Sequence, residues 1–175
     1  MRLACTMTGA RAALDPLLHE VALAALDRGV RLAGVVQINS EGGAGRRCDM
    51  DALVLPEGPR IRISQSLGRG SRGCRLDPEG LERAVAGSQA RLARGADVLI
   101  VNKFGKQEGA GRGFRPLIAE ALELGADVLV GVSPLNLPAL EAFLGGPPDR
   151  VEAAPDALLG WCLEAAERRR ALPAG

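Results

Sequence analysis

Three apolar runs limit what this chain can fold into: LAGVVQIN within Arg31 to Asn39, ADVLIVN from Ala96 to Asn102, and DVLVGV from Asp127 to Val132. Each is continuously apolar rather than alternating, as in strands covered on both faces of a parallel sheet. Leu3 to Thr6 is a shorter run of the same kind. Between the runs lie segments of helical length. Leu14, Leu17, Leu18, Val21 and Ala25 step at helical spacing up to about Arg28, with Asp15-Pro16 read as N-cap and first-turn proline. Asp77-Pro78 opens a second helix to about Arg94, Pro116 to Leu124 is a third, Pro138 to Leu144 a short fourth, and Asp156 to Arg170 closes the chain. Val151 starts a weak strand. Strands alternating with helices predict a three-layer α/β fold, a parallel sheet with helices on both faces.

One segment breaks the alternation. Residues 52 to 64, ALVLPEGPRIRIS, are two β runs around Pro56-Glu57-Gly58-Pro59, which is turn chemistry. They predict a β-hairpin inserted at about 48 to 75. A length of 175 residues fits a single domain, 1 to 175, and shows no internal repeat.

In a parallel sheet the strand-to-helix loops leave on one edge, where ligands bind near the switch in strand order. The loops after Thr6, Asn102 and Ser133 are therefore expected to share a rim. Lys plus Arg number 22 against 21 Asp plus Glu, so no global field favours nucleic acid or an acidic membrane. The four aromatic residues are too few for the stacking platforms of single-strand binders. No apolar run has the length of a membrane span, and the start MRLACTMTG lacks a long apolar leader, which predicts a cytoplasmic protein. A single histidine, His19, excludes a multi-histidine metal site, and no metal ligands are assigned.

The charge is local instead. Only two of the 22 basic residues are lysines, and both fall in Lys103-Phe104-Gly105-Lys106. From Asn102 to Arg115 there follow Lys103, Lys106, Arg112 and Arg115 against one acid, Glu108, among four glycines that allow close backbone approach. That combination suits an anion cradle or, alternatively, a solvated loop. A second stretch, Gly58 to Arg75, has five arginines and no acid, and its core Ser66 to Cys74 offers Arg69, Ser71 and Arg72 to a tetrahedral oxyanion. Its arginines should repel one another unless an anion or acidic partner sits among them, or they shield an edge strand. Arg69 or Arg72 is expected to converge with Lys106 on one composite site. Cys48 and Cys74 flank the hairpin, each three residues before an aspartate; metal binding, pairing and a structural role all remain open for them. Cys5 and Cys162 lie in apolar runs and read as core.

After the first strand a nucleotide hydrolase would carry GxxxxGK[ST], whereas this chain reads TMTGARAALD, with one glycine and no lysine. Thr8, Gly9 and Arg11 could still approach a phosphate there. The element order, hairpin included, resembles the small P-loop nucleoside-triphosphatases of thermophile type. Their D-E-x-G-K-x-E motif is matched by Gly105, Lys106 and Glu108, while Asn102 stands at the metal-organising aspartate and Lys103 at the catalytic glutamate. More closely, the stretches CDM, RISQ-LG-GSRGCRLD and VNKFGKQE-GRG resemble a bacterial domain family related to those enzymes and associated with molybdenum uptake or use.

The resemblance implies a degenerate P-loop-like fold without the Walker A lysine and Walker B aspartate, so that NTP hydrolysis is not expected. It implies an anion-binding accessory protein, with a nucleotide, a pterin phosphate or a molybdate-type oxyanion as ligand and a protein partner in molybdenum handling. Alternatives are an active triphosphatase or phosphotransferase with Glu108 as base, and a protein-interaction module. Candidate ligand residues are Thr8, Gly9, Arg11, Arg69, Ser71, Arg72, Asn102, Lys103, Lys106, Glu108 and Arg112. Neither nucleic acid nor membrane insertion is expected.

Overall fold

The computed structural model describes residues 2–9, 13–40, 49–65 and 75–171. In chain order these form β1 (Leu3–Thr6), α1 (Leu14–Asp27), β2 (Leu32–Ser40), β3 (Asp49–Val54), β4 (Arg60–Arg62), α2 (Pro78–Leu92) and β5 (Val98–Phe104). Then come α3 (Lys106–Gly109), α4 (Arg115–Glu123), β6 (Asp127–Val132), α5 (Leu137–Leu144), β7 (Asp149–Arg150) and α6 (Pro155–Ala171). The described strands make one sheet in the order β4-β3-β2-β5-β6-β1-β7. From β2 through β7 neighbours are parallel, while β3 and β4 extend one side as an antiparallel hairpin. The expected α/β architecture and inserted hairpin are both present.

Alternation along the parallel strands sorts the core into two layers. Val98 and Ile100 of β5 pack with Leu18 and Val21 of α1 and Leu158 and Trp161 of α6. Leu99 and Val101 face the other way, onto Ala84 and Leu92 of α2, Leu117 and Ile118 of α4 and Leu140 of α5. Both faces of the central strands are thus covered by apolar side chains, which is why their sequences carry no polar alternation. At Gly34 in β2, φ is +103° and an added Cβ would collide with the backbone carbonyl of Ile100, so the close approach of β2 to β5 requires glycine there.

Strand order also places the rim. β1 connects across the sheet to β2, and β6 connects the opposite way to β7, so the directions diverge at the β6–β1 junction. Thr6 and Asn102 both register with Gly131 of β6. The loops after β1, β5 and β6 therefore share one edge, as expected.

Local differences from the sequence reading have simple causes. Helix α1 starts at Leu14 with Ala13 at the N-cap, so Asp15 falls inside the first turn instead of capping it. The loop after β5 contains the one-turn helix α3. The last strand is Asp149–Arg150 rather than Val151, although Val151 N still donates to Cys5 O at 3.0 Å. Two residues carry no periodicity to read. By contrast, Asp77 caps α2 as expected, accepting from Glu79 N at 3.1 Å. No described helix is long and apolar enough to cross a membrane.

Candidate functional site

At the carboxyl ends of β1, β2 and β5, polar side chains replace the apolar core. Asp15, in the first turn of α1, is 4% exposed and lies at their centre. Its Oδ2 accepts from Gln37 Nε2 at 3.1 Å and from Asn39 Nδ2 at 2.8 Å. Gln37 Nε2 also donates to Asn39 Oδ1 at 2.8 Å. The Asn102 amide, oriented by its neighbours, donates to Asp15 Oδ1 at 3.1 Å and accepts from Gln37 N at 3.0 Å. Lys103 Nζ stands 3.6 Å from Asp15 Oδ1. Beside this cluster, at the end of β1, Thr6 is 1% exposed and its Oγ1 has no hydrogen-bond partner among the described residues.

Beyond Lys103 the chain folds around Glu108. Its Oε2 accepts from Gly105 N at 2.9 Å and its Oε1 from Phe114 N at 3.1 Å, and the residue is 3% exposed. One buried carboxylate thereby ties together both ends of the glycine-rich segment, with Gly113 at φ +59° packed directly against it. The cations of the same segment point elsewhere. Lys106 is exposed and makes no ion pair among the described residues. Arg112 is exposed and donates from Nε to Gln107 Oε1 at 2.9 Å. The Arg115 guanidinium lies 4.6 Å from the centre of the Phe143 ring, a cation–π contact.

The arginine-rich stretch is resolved differently from its linear charge count. Of its arginines, the described Arg60, Arg62 and Arg75 lie beside acids that sequence reading assigned to no partner. Arg60 Nε donates to Asp51 Oδ2 at 2.7 Å and Arg62 Nε to Asp51 Oδ1 at 2.5 Å. Arg62 also reaches Asp49 Oδ2 at 2.8 Å, and Arg75 lies 4.0 Å from Asp49 Oδ1. Antiparallel register causes this, because Asp51 sits opposite Arg62 on the ladder. Burial raises the Asp51 pKa, but the bonds from Arg62 and Arg60 outweigh it and hold the carboxyl below its ordinary value. Arg11, Arg69, Ser71 and Arg72, with Cys48 and Cys74, lie outside the described residues, and so does the convergence of Arg69 or Arg72 with Lys106.

Of the other expected ligand residues, Asn102 and Lys103 come together on Asp15, Thr8 and Gly9 follow Thr6 at the same edge, and Lys106 and Arg112 follow Lys103. Glu108 is held inside its loop. Sequence reading missed Thr6, Asp15, Gln37 and Asn39. A signal for two of them exists: Gln37 and Asn39 are polar at i and i+2 where an apolar strand ends, as Asn102 is at the end of β5. Cys5 is buried one residue before Thr6, and burial pushes its thiol up, with Arg150 opposing and Glu141 adding to the shift. Cys162 is pushed up to about 12 by burial. Both are core thiols.

Residues 3–161 match the family described as Protein of unknown function (DUF2478), and the chain belongs to that family. Over 133 residues, 76% of the chain, it is 39% identical to the protein "Molybdenum import ATP-binding protein ModC 2" of Bradyrhizobium diazoefficiens. That match spans only 15% of the relative's length. The fold is similar to that of a human cancer-related nucleoside triphosphatase solved in solution, with a TM-score of 0.59, 99% of each chain covered and 18% identity. The architecture is thus similar to that of a nucleoside triphosphatase.

Proposed function

We propose that this member of the DUF2478 family is an anion-binding accessory domain of molybdenum handling. Its ligand, a nucleotide, a pterin phosphate or a molybdate-type oxyanion, sits on the rim formed by the ends of β1, β5 and β6. The observation that carries this reading is the inward turn of Glu108. The only acid between Lys103 and Arg115 is engaged by two backbone N–H groups, which leaves Lys106 and Arg112 without a carboxylate partner among the described residues at the ligand-binding edge of the sheet. Exposed cations beside glycine-rich backbone suit an oxyanion. Thr8 and Gly9 are proposed to supply neutral polar groups at the same edge, Asn102 to hold Asp15 in place beneath it, and Arg11, Arg69, Ser71 and Arg72 to add to it from the neighbouring loops.

The link to molybdenum rests on the relative's name and the 39% identity. A protein partner in molybdenum handling is proposed on the same ground. The domain is proposed to work without turnover, because TMTGARAALD has no lysine to hold a phosphate tail and Asn102 supplies no carboxylate to a metal ion. Native mass spectrometry of the purified chain, followed by calorimetric titration with AMP, ATP and molybdate, tests the reading. Retention or saturable binding of one of these, weakened in Lys106→Ala, is expected. A rim that takes none of them would overturn it.

A further inference from the structure

The rim's positive charge is uneven. At Lys106 no acid among the described residues pairs with it, but at Lys103 it faces a buried carboxylate. Asp15 is already supplied with donors by three neutral amides, Gln37, Asn39 and Asn102, at 2.8 to 3.1 Å. Lys103 is farther away, at 3.6 Å, and its side chain is 39% exposed. The lysine therefore keeps donors for a ligand, while any anion that reaches it also meets the negative charge of Asp15. Thr6 Oγ1, buried and without a partner among the described residues, offers a neutral hydroxyl at the same end.

We propose that Asp15 sets the charge of the anion the rim accepts, admitting a single tetrahedral oxyanion group and repelling a polyphosphate tail. The inference rests on the anion-binding reading and narrows it to a substrate class: a free oxyanion or a phosphomonoester, bound across Lys103 and Lys106. Those two residues are three apart at the same edge, close enough in the chain for both long side chains to reach one phosphate-sized group in this reading. A longer tail brings further charges toward Asp15. At an effective dielectric near 20, each additional charge within about 8 Å of the carboxylate lowers affinity roughly tenfold after screening.

Calorimetry at low salt with orthophosphate, pyrophosphate and tripolyphosphate tests this. For the unmodified chain, affinity is expected to stay level or fall as the charge grows. In Asp15→Asn the ratio of tripolyphosphate to orthophosphate affinity should rise about tenfold or more. Asn39→Lys adds a positive charge at an exposed position that can still donate to Asp15, and should shift the ratio the same way if Asp15→Asn fails to fold. Repulsion acts on the ligand directly, so Asp15→Asn should raise the ratio in a Lys103→Met background too. A carboxylate that merely positions the lysine would have no effect there, and that result overturns the proposal. An unchanged ratio in all variants, with orthophosphate still bound and weakened by Lys106→Ala, overturns the charge filter and leaves the anion site standing. Failure of every anion to bind overturns both.

Discussion

Lys103 Nζ lies 3.6 Å from Asp15 Oδ1, joining the end of β5 to the first turn of α1. The two residues are 88 positions apart in sequence and meet only because β5 lies next to β2 and α1 packs over both. Lys103 thus differs from Lys106, although they share a tetrad. The first is tethered to a buried carboxylate, and the second stands free of any ion pair among the described residues. A single substitution can therefore remove ligand charge without disturbing the core.

Lys106 is that position. It is exposed at the start of α3, its side chain makes no ion pair among the described residues, and Glu108 ties the loop from within. A charge-assisted bond is worth roughly 1.5 to 3 kcal/mol, so Lys106→Ala should weaken anion binding about tenfold or more. The thermal midpoint should stay within a degree or two. Unchanged affinity by calorimetry would remove Lys106 from the site.

Glu108 should behave in the opposite way. Glu108→Gln puts an amide N–H against a backbone N–H and leaves a buried donor unsatisfied, at a cost of about 1 to 3 kcal/mol. Gly113→Ala should act on the same joint, because φ is +59° and the new methyl would meet the Glu108 carboxylate. For a chain of this size about 2 kcal/mol corresponds to a fall in Tm of roughly 4 to 8 °C. Scanning calorimetry showing neither variant shifted would mean the loop is held by something else.

The hairpin should carry an acid-sensitive part of the stability. Asp51 has its pKa held below the ordinary 3.8, because bonds from Arg62 and Arg60 outweigh the opposing effect of burial. A depressed folded-state value means the stabilisation is fully present above the unfolded pKa and is lost as pH falls through the folded one. Asp51→Asn should therefore melt below the unmodified chain at pH 6, with the gap closing below about pH 4. Both arginines are about half exposed, so high salt should narrow the gap as well. A gap independent of pH would assign the loss to packing rather than to charge.

What could be read from the sequence follows from how local each signal is. The runs ADVLIVN and DVLVGV announce β5 and β6 because strands covered on both faces need no partner information to be recognised. The Asp15 cluster was hidden for the converse reason. Asp15-Pro16 has a satisfactory local reading as a helix start, and only the strand order shows that Gln37, Asn39 and Asn102 surround it. The partners of Arg60 and Arg62 were hidden similarly, since the compensating Asp49 and Asp51 lie across the antiparallel ladder. Helix α3 has four residues and β7 has two, too short for periodicity to register.

Hydrolysis of ATP or GTP should be negligible, and the reason is spread over two loops. Phosphoryl transfer depends on positioning and on charge stabilisation by a phosphate-loop lysine and a carboxylate-held magnesium ion. After β1 this chain offers TMTGARAALD, which contains no lysine. At the end of β5 the amide of Asn102 stands where the resembled enzymes place an aspartate, and that amide is already committed to Asp15 and to Gln37 N. Lys103 stands where they place a glutamate, so the chain carries a cation where a base would activate water. Glu108, the one acid left in the segment, accepts from Gly105 N and Phe114 N and is 3% exposed. A carboxylate so engaged does not reach a water on the rim. Phosphate release measured with and without magnesium should match a buffer blank for the unmodified chain and for Lys106→Ala alike. Magnesium-dependent release that persists through repeated purification and disappears in Lys106→Ala would show that the rim catalyses after all.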